Sequence, residues 1–100
     1  MTENISYVLR LFVTGETSRA RQAVSNIERI CQQELRGRYR LEVIDVLCHP
    51  GLAEDHKILA TPTLIKEMPS PLRRIIGDLS DARKVLLALD LQPRSDAPAT

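Results

Sequence analysis

The first apolar block, "ISYVLRLFVT" from Ile5 to Thr14, is rich in β-branched and aromatic residues and is apolar on both parities. That pattern predicts a central strand covered on both faces. Gly15 interrupts it, and Thr17 or Ser18 can cap a helix beginning there. From Ala20 to Leu35, apolar side chains recur at Ala20, Ala23, Val24, Ile27, Ile30, Cys31 and Leu35. This spacing is a helical stripe, and Gly37 sits where a C′ glycine would close it. "YRLEVIDVL", Tyr39–Leu47, reads as a second strand. Pro50 stands near a helix start, and Leu52, His56 and Leu59 at i, i+4 and i+7 predict a short helix. A Thr61-Pro62-Thr63 corner precedes a third strand, "LIKEM". The turn "PSP" comes next, and then a fourth strand in "LRRIIGDL", with Gly77-Asp78 at its end. Ser80 is a candidate N-cap for a last helix carrying Ala82, Val85, Leu86 and Leu89 at helical spacing. Residues 92–100, "QPRSDAPAT", are small, polar and proline-bearing, which predicts a flexible tail.

The resulting order is βαβαββα. Two strands joined by a long helix should lie parallel through a right-handed crossover. Two joined by a short turn should form a hairpin. This is the thioredoxin architecture, an α/β fold in a single domain. In such folds a proline like Pro62, just before the third strand, takes the cis form beside a redox site. An X-Pro bond favours trans intrinsically by only about 0.5–1 kcal/mol, so a fold can select either isomer.

The redox site itself is missing. Helix N-terminal amides and the helix dipole lower a thiol's pKa at that place, but here it reads Gly15-Glu16-Thr17-Ser18-Arg19-Ala20. Thiol–disulfide exchange requires a thiolate nucleophile, so redox catalysis at the usual position is excluded. Of the two cysteines, Cys31 belongs to the buried helical stripe. Cys48-His49 with Cys31 and His56 match no familiar zinc spacing, so no metal or other cofactor is expected.

One hundred residues, 43% apolar and 27% charged, fit one soluble globular domain. A net charge of +1 gives no bulk attraction for a polyanion, and three aromatic residues give little for base stacking, so nucleic acid is not an expected partner. The N-terminus lacks a signal peptide's pattern and no apolar run reaches a bilayer's thickness, so a cytoplasmic protein without membrane contact is expected.

Four stretches, "YVLRLFVTGET", "YRLEVIDVL", "LAEDHKILATPTL" and "RRIIGDLSDARKVLLALDL", resemble the KaiB family over about Tyr7 to Leu91. The resemblance implies a KaiB-like domain over residues 1–91 and a non-enzymatic adaptor for the ATPase KaiC. It implies two folds. In a ground state the C-terminal half is rearranged and the protein assembles into dimers and tetramers. A thioredoxin-like monomer instead docks on the N-terminal ATPase ring of KaiC, captures KaiA and displaces the sensor domain of the kinase SasA. It further implies partner-binding roles for Lys57 and Arg74, with Arg73 beside them, and fold-switch roles for Pro62, Ser70, Pro71, Ala88 and Asp90. Three departures stand out. Gln22 replaces a basic partner-binding residue, Ser70 replaces a proline, and Ala88 replaces a glycine before "LDL". Ala over Gly inside a helix is worth about 0.5–1 kcal/mol, so Ala88 is expected to enlarge the thioredoxin-like population several-fold. A homologue serving stress adaptation or signalling, without KaiA or an oscillator, is the competing expectation. A thioredoxin-fold oxidoreductase is a remote one.

Overall fold

The computed structural model describes residues 6–91. They run β1 (Tyr7–Val13), α1 (Ser18–Ile30), β2 (Tyr39–Asp45), α2 (Pro50–Asp55), β3 (Thr63–Met68), β4 (Arg73–Ile76) and α3 (Ala82–Ala88). The predicted order is therefore present, while the tail at 92–100 lies outside the described residues. The sheet has the order β2-β1-β3-β4, with the most apolar strand inside it. β1 pairs parallel with β2 from Tyr7–Tyr39 to Val13–Asp45. β3 runs antiparallel to β1, and β4 antiparallel to β3. This mixed sheet with its helices is the thioredoxin-like α/β fold.

Strand alternation divides the core. Tyr7, Leu9, Leu11 and Val13 point to the face covered by α1 and α3, where they meet Ala23, Ile27, Ile30, Leu64, Val85 and Leu89. Each fully buried leucine there contributes about 1.5–3 kcal/mol relative to exposure. On the other face Phe12, Ile44 and Ile65 pack with Val46, Leu52 and Ile58 beneath α2. Because α2 has six residues, it covers only part of that face. The expectation of β1 covered on both sides is met at Phe12 and not at Val8 and Arg10, which stay half-buried.

Helix ends differ from the periodicity reading in ways that side chains and backbone explain. Thr17 is the N-cap of α1, its hydroxyl accepting the Ala20 amide at 3.1 Å. The stripe continues past Ile30 as a π-helical turn, Cys31–Leu35, in which the Arg36 amide reaches the Cys31 carbonyl. Arg36 and Gly37 are both left-handed, at φ 51° and 80°, so the closure begins one residue before the glycine. Asp81, not Ser80, caps α3 by accepting the Lys84 amide at 3.2 Å. α3 ends at Ala88, earlier than its apolar pattern suggested. Asp90 is left-handed at φ 55°, and the Asp90 and Leu91 amides return to the Leu87 and Leu86 carbonyls. This is a Schellman closure with aspartate in glycine's usual place and Leu91 buried behind it. Ala88 is thus the last helical residue rather than an interior one, which reduces the weight its propensity carries.

Candidate partner-binding surface

A thioredoxin's chemistry would sit at the N-terminus of α1. In this chain Gly15 makes the turn into the helix at φ +63°. A single carboxylate organises the approach. Asp45 Oδ1 accepts the Gly15 amide at 3.0 Å and the Leu47 amide at 2.9 Å. Those two bonds hold the Asp45 carboxyl below the usual carboxylate range. A depressed native pKa gives stability that is present above the unfolded value near pH 4 and lost as pH falls through the native one. Asp45→Asn should therefore melt below the parent at neutral pH, and the gap should begin to narrow in thermal scans as pH falls below about 4 and close below the native value. A gap of equal size at both pH values would show that the charge plays no part.

Neither cysteine is placed for exchange chemistry. Cys31 is buried against the core, and desolvation, then the nearby Glu28 charge, push its thiol up to about 12. Cys48 is exposed past the end of β2, its Sγ 3.8 Å from Asp45 Oδ2. Among the described residues no cluster of three or more His, Cys, Asp or Glu is grouped to hold a metal ion.

Pro62 follows a cis bond from Thr61 and is buried. The corner is tied on three sides. Thr61 Oγ1 lies 2.7 Å from Thr14 Oγ1, Thr63 Oγ1 donates to the Ala60 carbonyl at 2.6 Å, and the Gly77 amide donates to the Pro62 carbonyl at 3.0 Å. Met68–Pro69 and Ser70–Pro71 are cis as well, in an exposed turn between β3 and β4.

The fold brings Lys57 and Arg74 together. α2 stops at Asp55, and Lys57 takes the left-handed conformation at φ 54°, which turns the chain toward the proline corner. The helical stripe inferred through Leu59 is not formed: Leu59 is 93% exposed. The physical reason lies on another strand. Arg74 of β4 donates from Nη2 to the His56 carbonyl at 2.9 Å and from Nη1 to the Lys57 carbonyl at 3.3 Å. Two carbonyls that a longer helix would consume are thereby satisfied by a cation. Such a conformation costs a non-glycine residue of order 1–3 kcal/mol, and it persists where surrounding contacts enforce it. Leu72 and Ile76 flank Arg74 and remain more than half exposed.

The other two residues are not part of this corner. Arg73 pairs with Lys66, so alternation turns it to the α1 and α3 side of the sheet, opposite Arg74. Gln22 is exposed on α1, and no hydrogen bond or ion pair among the described residues joins it to Lys57 or Arg74.

Sequence reasoning missed a polar cluster directly under this corner. Arg10 Nη1 lies 3.3 Å from His56 Nε2, and Arg10 Nε lies 2.9 Å from Glu42 Oε1 and 3.3 Å from Glu67 Oε1. The Nε–H is aimed at neither carboxylate, so these are charge contacts and that buried donor has no hydrogen-bond acceptor among the described residues. Glu67 reaches the cluster from β3, where Ile65 pairs with Arg10 and Glu67, two residues on, shares its face next to a register shift between Lys66–Leu9 and Met68–Val8. A lone arginine in an otherwise apolar strand was the available signal.

Comparison with known proteins places the molecule. A family model described as the KaiB domain matches residues 10–91. The circadian clock protein KaiB3 of Synechocystis is 57% identical over 86 residues, covering 86% of this chain and 84% of that one. The circadian clock oscillator protein KaiB of Prochlorococcus marinus subsp. pastoris is 53% identical over 91 residues, covering 91% and 85%. Among solved structures, the N-terminal domain of Synechococcus elongatus SasA superposes with a TM-score of 0.70 at 26% identity, covering 92% of this chain and 90% of that one. Mitochondrial thioredoxin 3 of Saccharomyces cerevisiae gives 0.68 at 16% identity, covering 88% and 80%, which is a likeness of fold alone. A match spanning most of the chain, at better than half identity to the first of these relatives, makes this protein a member of the KaiB family.

Proposed function

We propose that this chain is a non-enzymatic clock adaptor that docks on the N-terminal ring of a KaiC-type ATPase and changes that ATPase's phosphorylation timing. The carrying observation is the Lys57–Arg74 corner, where a cation from β4 pins the end of α2 and holds a second, exposed cation in a left-handed turn. Charge-assisted donors fixed in this way suit an acidic protein surface. The likeness to the SasA N-terminal domain supports the reading, because two chains of one shape can compete for one partner. The proposal includes a second fold, in which the segment after about residue 50 rearranges and the protein forms dimers and tetramers. It also assigns residues 1–91 to one domain and places the protein in the cytoplasm. Among the described residues no helix is long and apolar enough to cross a membrane.

The test is association of the purified chain with its host's KaiC-type ATPase, with and without ATP, followed by light scattering. A complex that survives thiol blocking supports the adaptor. Absence of a complex in every nucleotide state defeats it, and reduction of insulin disulfides by the chain alone would instead restore the oxidoreductase reading. A second reading, an adaptor in stress adaptation or signalling without KaiA, is favoured by the neutral Gln22 on α1. Adding KaiA to the preformed complex separates the two, since only the clock reading expects a ternary assembly. Competition with a SasA-like kinase gives an independent check on the docking face.

A further inference from the structure

The cluster under α2 is unused by the docking reading, yet it contains the residue whose carbonyl Arg74 holds. His56 closes α2 with its carbonyl turned to Arg74 and its ring turned inward, 5.3 Å from the Phe12 ring. Its Nε2 stands between Arg10 Nη1 at 3.3 Å and Glu67 Oε2 at 3.7 Å. We propose that His56 is a protonation-responsive latch: its charge state selects which strand, β1 or β3, holds the ring at the end of α2 and so how firmly the Lys57–Arg74 corner is presented to an acidic protein surface. The partner half of this inference rests on the docking reading, whereas its structural half does not.

Protonation of the ring exchanges an acceptor for a donor. A neutral imidazole with its lone pair on Nε2 accepts from Arg10. A protonated ring donates from both nitrogens, loses that bond, and meets the guanidinium as a second cation. The group within reach that gains from the change is Glu67, on β3. Arg10 has somewhere to go, since its Nε–H lacks an aligned acceptor while Glu42 Oε1 lies 2.9 Å away. The exchange is therefore local: Arg10 moves toward Glu42 on β2, and His56 moves toward Glu67. The charged groups around the ring are Arg10 from β1, Glu67 from β3, Glu42 from β2 by way of Arg10, and Arg74 from β4 on the carbonyl. Glu54, Asp55 and Lys57 of its own stretch are exposed. His49, at the start of α2, lines a cavity of about 390 Å³ with Arg10 and Glu42 and serves as the internal control. Ring and carbonyl belong to one residue, so fastening the ring to β3 also fastens the left-handed Lys57 next to it. Acidification consequently strengthens docking.

NMR of the full chain between about pH 8 and about pH 5 tests the structural half. The Lys57 amide and the Arg74 guanidinium signals should shift with the midpoint of the His56 ring. In Glu67→Gln and in His56→Gln that coupled response should vanish, and in His49→Gln it should persist. Flat Lys57 and Arg74 signals through the His56 titration, or an intact response in E67Q, overturn the latch. For the partner half, affinity for the KaiC-type ring should rise about threefold to tenfold over the same range in the parent and stay level in E67Q. Affinity independent of pH in the parent overturns the regulation. A ring that binds at no pH defeats the docking reading instead, and the NMR result still decides the latch.

Discussion

Phe12→Ala is expected to lower the unfolding free energy by about 3–5 kcal/mol, the range for truncating a buried phenylalanine. Phe12 is fully buried and is the largest side chain of the smaller core, where Ile44, Ile65, Val46, Leu52 and Ile58 surround it beneath α2. A helix of six residues cannot sustain itself by propensity, so this cluster is what retains α2 on the sheet. The loss is a large fraction of the roughly 5–15 kcal/mol that a domain commands. At about 4–8 °C per kcal/mol for a chain of this size, the melting temperature should fall by at least about 12 °C. The damage should also be uneven. Amides of α2 and the Lys57 turn should lose exchange protection first, while those of α1, which packs on the opposite face, keep most of theirs. A loss under about 1 kcal/mol in urea titration, or equal deprotection of both helices, would contradict this two-sided core.

The same division explains how far the sequence alone reached. Strand and helix order was legible because the large core is periodic: Leu9 and Leu11 on one strand, Ala23, Ile27 and Ile30 on one helix. The α1 cap, narrowed to Thr17 or Ser18, and the proline corner were legible as local chemistry. Features set by distant residues were not. Where α2 stops depends on an arginine 18 positions later that takes the His56 carbonyl. The Leu52, His56, Leu59 spacing could not reveal that Leu59 would lie in the open. Glu67 meets Arg10 through the pairing of β3 with β1, whose register no local pattern displays. Lys66, 1% exposed beside Leu64, is by contrast where strand alternation sends it, inward whatever its charge. Of the candidate residues, the fold joins Lys57 to Arg74, sends Arg73 to the other face, and leaves Gln22 alone on α1.

Arg74→Ala should weaken association with a KaiC-type ring by about 10- to 100-fold, or ~1.4–2.8 kcal/mol, because it removes two things together. One is a cation at the proposed docking face; the other is the pair of bonds that satisfies the His56 and Lys57 carbonyls. Lys57→Gly separates them. Glycine accepts φ 54° without the penalty an L side chain carries in that region, so the variant should be more stable by about 1 kcal/mol, with the turn and the Arg74 bonds intact. It should nevertheless bind less tightly than the parent, since the exposed ammonium is gone. Arg73→Ala, on the far side of the sheet, should leave affinity within about twofold. Stability and affinity moving in opposite directions at Lys57 is the discriminating result, for a turn kept only for folding would gain from glycine and lose nothing. Equal binding by K57G and the parent would mean that the strained lysine is not read by the ring, and the docking face would have to be sought elsewhere on the molecule.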